Sequence, residues 1–73
     1  MKILEKNGFW HETNVGYVLE DYEYEIIYDS WEHKLRILKN REQILKIDFF
    51  NEMCVHELQH ALKLCGISKN IEL

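Results

Sequence analysis

Over the first two-thirds of the chain, apolar and polar positions alternate in short runs separated by turn residues, the pattern of half-buried strands. Phe9–Glu12 and Tyr17–Glu20 flank Thr13-Asn14-Val15-Gly16, where Asn and Gly supply positive φ, so the stretch reads as a hairpin. Tyr22 to Tyr28 alternates, with Tyr22, Tyr24, Ile26 and Tyr28 on one face and Glu23, Glu25 and Ile27 on the other. Asp29-Ser30-Trp31-Glu32 is predicted to turn the chain, and His33–Lys39 and Gln43–Ile47 to form two more strands joined at Asn40-Arg41. Pairing Tyr28 with His33 places Ile26 opposite Leu35 and Tyr24 opposite Ile37 on one face, and Glu25 opposite Arg36 on the other. A one-residue slip would put Arg36 against Ile26, so the pattern selects this register.

From Asp48 the period becomes helical. Asp48 or Asn51 is a candidate N-cap, and Gly66 a candidate stop after Cys65. Phe50, Met53, Cys54, Leu58, Ala61, Leu62, Leu64 and Cys65 share a wide stripe, with Glu52, His56, Gln59 and Lys63 opposite. The predicted fold class is α+β: an antiparallel meander of four to five strands with one C-terminal helix packed on one face. All of residues 1–73 read as one small domain, whose modest core leaves room for a homodimer.

Composition narrows the class of function. The chain is 47% hydrophobic and 30% charged, a globular balance, and carries a formal charge of −4, which argues against direct nucleic-acid binding. No apolar run approaches the roughly 20 residues of a membrane span, so no membrane association is expected. Cys54 and Cys65 fall in the predicted helix, about 16 Å apart along its axis at 1.5 Å per residue, too far to bridge. Two unpaired thiols point to a cytoplasmic protein.

His56-Glu57-Leu58-Gln59-His60 is an H-E-x-x-H sequence. With Val55 before it and Ala61-Leu62 after it, the segment resembles the zincin metallopeptidases. That resemblance implies His56 and His60 as zinc ligands and Glu57 as general base. A catalytic zinc needs a third protein ligand, yet beyond His60 the one acid is Glu72, and Gly66 stands where some of these enzymes have a third His. The expectation is therefore no metal, no other cofactor and no enzymatic activity, the alternative being a zinc-binding protein or minimal zinc metallopeptidase-like domain that uses His56, Glu57 and His60. Gly8, Gly16 and Gly66 are isolated, so no phosphate loop is predicted, and no Ser or Thr stands in a recognisable relation to a His.

Charge is segregated along the chain. Tyr17–Glu32 holds six acids and no Lys or Arg, whereas His33–Lys46 holds five bases against Glu42. Part of this is explained by cross-strand pairing. The acidic excess coincides with all four Tyr and with Trp31. Tyr17, Glu20, Asp21, Tyr22, Glu23, Asp29, Trp31 and Glu32 are thus the candidate partner-binding residues, acids steering association and aromatics anchoring it. Ile27, Leu38 and Ile44, on the outward sheet face, form a second candidate surface. The expected function is a small interaction module, an inhibitor or regulator that occupies a basic, nucleic-acid-binding type of site on another protein. In general character it is similar to small phage-encoded inhibitors that mimic DNA.

Overall fold

The computed structural model describes residues 2–73; Met1 lies outside them. Helix α1 (Lys2–Lys6) is followed by β1 (Trp10–Glu12), β2 (Gly16–Asp21), β3 (Tyr24–Asp29), β4 (Lys34–Lys39) and β5 (Glu42–Asp48), and the last element is helix α2 (Val55–Leu64). The five strands form one antiparallel sheet in sequence order, the predicted meander, with α2 as the predicted C-terminal helix. Helix α1 is an addition to the sequence reading.

Turn chemistry sets each hairpin. Asn40 (φ 51°) and Arg41 (φ 70°) both adopt positive φ between the paired Lys39 and Glu42, the signature of a two-residue type I′ turn. Tyr22 (φ 56°) opens the two-residue turn between Asp21 and Tyr24, so it leaves the strand predicted for it. At Gly16 (φ 121°) an added Cβ would lie 2.3 Å from the Tyr28 carbonyl oxygen, so only glycine fits between β2 and β3.

The register of β3 against β4 differs from the expected one by two residues. Tyr28 faces Leu35, Ile26 faces Ile37, and Glu25 faces Leu38 instead of Arg36. A two-residue shift keeps every side chain on its face, so the apolar pattern cannot distinguish the two registers. The turn decides. The Asp29 carboxylate accepts the N–H groups of Trp31 (2.9 Å) and Glu32 (3.2 Å), which holds Asp29 as the last residue of β3. His33 then takes φ 57° inside the turn, not the inward strand position expected for it.

One face of the sheet carries Leu19, Ile26, Tyr28, Leu35 and Ile37 into a core closed by Leu58, Ala61 and Leu62 of α2, by Leu4 of α1, and by Phe9, Met53 and Ile67. Helix α2 is shorter than its apolar stripe predicts. It starts after Cys54, so Phe50 is exposed in the preceding loop and Cys54 is an exposed N-cap. Leu64 is also exposed, and Cys65 is the half-buried C-cap. Both helices end alike. Phe9 and Ile67 donate to the carbonyls of Leu4 (3.0 Å) and Leu62 (2.9 Å), while Gly8 and Gly66 donate to Glu5 and Lys63. With Gly8 and Gly66 at positive φ and the two apolar pairs buried, each end is a Schellman motif.

Two side-chain amides hold the C-terminal segment. Asn7 donates to the Glu72 carbonyl (2.7 Å) and accepts the Glu72 N–H (2.8 Å). Gln59 donates to the Lys69 carbonyl (2.9 Å) and accepts the Ile71 N–H (2.7 Å). Each amide thereby stands in for the backbone of a neighbouring strand.

Candidate functional site

The eight residues of the acidic segment fall in three places. Glu20, Asp21, Tyr22 and Glu23 gather at the β2–β3 turn. Asp29, Trp31 and Glu32 belong to the β3–β4 turn, at the opposite end of a six-residue strand, about 17 Å away at 3.3 Å per residue. Tyr17 is on the core face, where its ring meets His11 edge-on with centroids 5.1 Å apart. The sequence order of these residues therefore does not translate into one continuous surface.

At the first end, Glu20 and Glu25 are direct cross-strand partners, a like-charge pair. Glu23 meets Lys39 at 3.6 Å, and Arg41 lines the same shallow hollow as Glu20, Tyr22 and Glu25. Tyr22 is fully exposed. Cations thus neutralise part of this end.

The second end is richer than the sequence implies. Trp31 is 91% exposed at the turn tip, and Phe50 is 97% exposed in the loop after β5. The Phe49 N–H donates to the His33 carbonyl at 2.8 Å, which brings that loop beside the β3–β4 turn. Asp29, Glu32, Asp48 and Glu52 belong to the same end, where Lys34 pairs with Glu32 at 3.2 Å. Phe50 and Glu52 were hidden in the sequence because an extended helix accounts for both, Phe50 in its apolar stripe and Glu52 on the opposite face. The signal that could have freed Phe50 is the Asn51 break in the run.

On the outward sheet face, Trp10, Val18, Ile27, Arg36 and Lys46 form one row across the five strands. Ile27 and Val18 are buried within it, while Leu38 is half-buried and Ile44 is 46% exposed. The second candidate surface thus presents Ile44 and part of Leu38, with Ile27 beneath its neighbours.

The H-E-x-x-H segment sits in the first turns of α2 beside a groove of about 640 Å³, lined by Ile47, Phe49, His56, Glu57, Gln59, His60 and Lys63. His56 and His60 are exposed on its rim. Glu57 has a different task from that of a general base: its Oε1 accepts the Cys54 N–H at 2.7 Å, the back-bonding half of a capping box. The same carboxylate, as hydrogen-bond partner and as neighbouring charge, pushes the Cys54 thiol above its ordinary value, helped by Glu52. Burial raises the Cys65 thiol. Among the described residues, no three or more His, Cys, Asp or Glu side chains gather into a metal-binding group. The likeness to zincins extends to two imidazoles on one helix face. Among the described residues no helix is long and apolar enough to cross a membrane. Comparisons with protein-family models, curated proteins and solved structures give no match.

Proposed function

We propose that the protein is a non-enzymatic interaction module, an inhibitor or regulator that occupies a basic site on a partner protein. The observation that carries this reading is that Trp31 and Phe50, both more than nine-tenths exposed, lie at the end of the sheet that holds the carboxylates of Asp29, Glu32, Asp48 and Glu52, against the three cations Lys34, Arg36 and Lys46. Exposed aromatics are the commonest energetic anchors of interfaces, and surrounding carboxylates select a cationic counterpart. Glu20, Asp21, Tyr22 and Glu23 at the far end extend the negative field that steers such a partner. A protein groove that ordinarily holds a phosphate backbone has the required charge.

The test is affinity capture with the wild-type chain and with Trp31→Ala/Phe50→Ala, followed by binding kinetics with the captured protein across a salt series. The paired substitution should raise Kd by at least about a hundredfold, since anchor truncations cost about 2 kcal/mol or more each. Reversing Glu32 and Glu52 to Lys should slow association and flatten its salt dependence, as should reversing Glu20, Asp21 and Glu23. A DNA or RNA oligonucleotide should compete for the partner. Binding that survives all these changes would sink the reading.

A further inference from the structure

Strand β5, of seven residues, closes the sheet on the side away from β1, and among the described residues no strand pairs with its second edge. The direction of its free groups follows from one hydrogen bond. Phe49 donates its N–H to His33 at 2.8 Å, toward β4. Backbone groups alternate along a strand, so Ile47 and Leu45 also point to β4, and Lys46 and Asp48 present their N–H and C=O groups outward. These two residues are exposed, whereas Leu45, Ile47 and Phe49 are half-buried, and Ile47 and Phe49 line the groove beside α2.

An edge of this kind is ordinarily blunted by a central Lys or a bulge, and β5 has both: Lys46, and a register break at Ile37/Leu38. The same two features select a single self-pairing. The bulge confines pairing to the segment from Leu45 onward. Antiparallel pairing centred on Lys46 would oppose lysine to lysine, and pairing centred on Asp48 would oppose aspartate to aspartate. Centring on Ile47 instead sets Lys46 opposite Asp48 twice, as outward hydrogen-bonded pairs, with Ile47 opposite Ile47 and Leu45 opposite Phe49 on the apolar side.

We propose that β5 is the interface for a second copy of this chain, paired antiparallel about Ile47 so that two five-stranded sheets become one of ten strands. Two Lys46–Asp48 pairs exchange four main-chain hydrogen bonds, and the opposite-charge side chains lie across from one another on the outer face. Phe49, which lines the groove beside α2, lies opposite Leu45 of the other copy in this register. The inference shares Asp48 with the acidic, aromatic-bearing end but requires neither Trp31 nor Phe50 nor their partner.

Sedimentation velocity over a concentration series tests it. The wild-type chain should run at twice its 8.9 kDa mass at high concentration. Lys46→Asp alone and Asp48→Lys alone turn two attractions into two repulsions and should each raise the dimer Kd by about tenfold or more. Mixing the two variants should restore the dimer, because every acidic position of one chain then faces a basic position of the other. That rescue also shows that both variants fold. Amide exchange at Lys46 and Asp48 should be slow in the wild type and fast in either variant alone. A wild-type chain that stays at 8.9 kDa up to its solubility limit would overturn the proposal. So would a dimer indifferent to the single reversals, or a mixture that fails to associate.

Discussion

The Tyr28 hydroxyl oxygen accepts the Met53 N–H at 3.1 Å, which ties β3 to the segment that leads into α2. Tyr28 is fully buried and Met53 nearly so, which shields this bond from water. An isolated buried N–H is costly, so one phenol fixes where the loop after β5 returns to the sheet. The loop in turn holds Phe50 outward and starts α2 two residues later.

Tyr28→Phe keeps the ring and removes the acceptor. It should destabilise the fold by about 1–3 kcal/mol, the cost of an unsatisfied buried donor, read from denaturant melts. The pH response should change as well. Burial above all raises the Tyr28 pKa, with Glu52, Asp29 and Glu57 adding to it. The folded state therefore holds this proton more tightly than the unfolded chain does. Its stabilising contribution is complete below the ordinary tyrosine value of about 10 and is lost as pH climbs through the raised folded value. The wild type should lose stability there, and Tyr28→Phe should lose less.

Two positive-φ positions make opposite predictions about glycine. Arg41 carries φ 70° where a type I′ turn favours Gly, so Arg41→Gly should stabilise by about 0.5–1 kcal/mol. Gly16→Ala should cost at least about 3 kcal/mol, since strain at positive φ adds to a 2.3 Å approach to the Tyr28 carbonyl. Thermal melts of both variants check the signs.

Asn7→Ala removes both hydrogen bonds to Glu72 and a further one to the Ile3 carbonyl at 2.8 Å. The expected loss is about 1–3 kcal/mol, with fast amide exchange at Glu72 and little change within β3 or β4. Equal loosening throughout the sheet would show that the clasp is not local.

Thiol chemistry reports on the start of α2. Cys54 is exposed, yet the Glu57 carboxylate holds its thiol protonated more firmly than usual. Glu57→Gln removes that charge, lowers the thiol pKa and should speed alkylation of Cys54 near pH 8 severalfold. Cys65 should react more slowly than Cys54 in both proteins, because it is half-buried.

How much of this was legible in the chain varies by element. The alternation in Tyr24–Tyr28 and Leu35–Ile37 identified the core face, because a pleat has period two and one face must be dry. Helix α1 escaped notice since five residues carry too little periodicity, although Leu4…Gly8-Phe9 repeats the spacing of Leu62…Gly66-Ile67 that ends α2. In the sequence, Glu57 has a role only as the general base that the H-E-x-x-H resemblance implies. The capping bond to Cys54 supplies another, and it depends on where the helix starts.

The amino-acid sequence by itself determined the strand order, the buried face, the Gly66 stop and the acidic bias, since period, composition and turn residues act locally. The tertiary structure decided what local pattern leaves degenerate. It chose between two registers that bury the same side chains, through the Asp29 turn and the positive φ of His33. It divided one acidic segment between two ends of the sheet, because a strand separates what the chain lists together. It also moved Phe50 from core to surface, because Tyr28 captures Met53 and α2 begins only two residues after that bond.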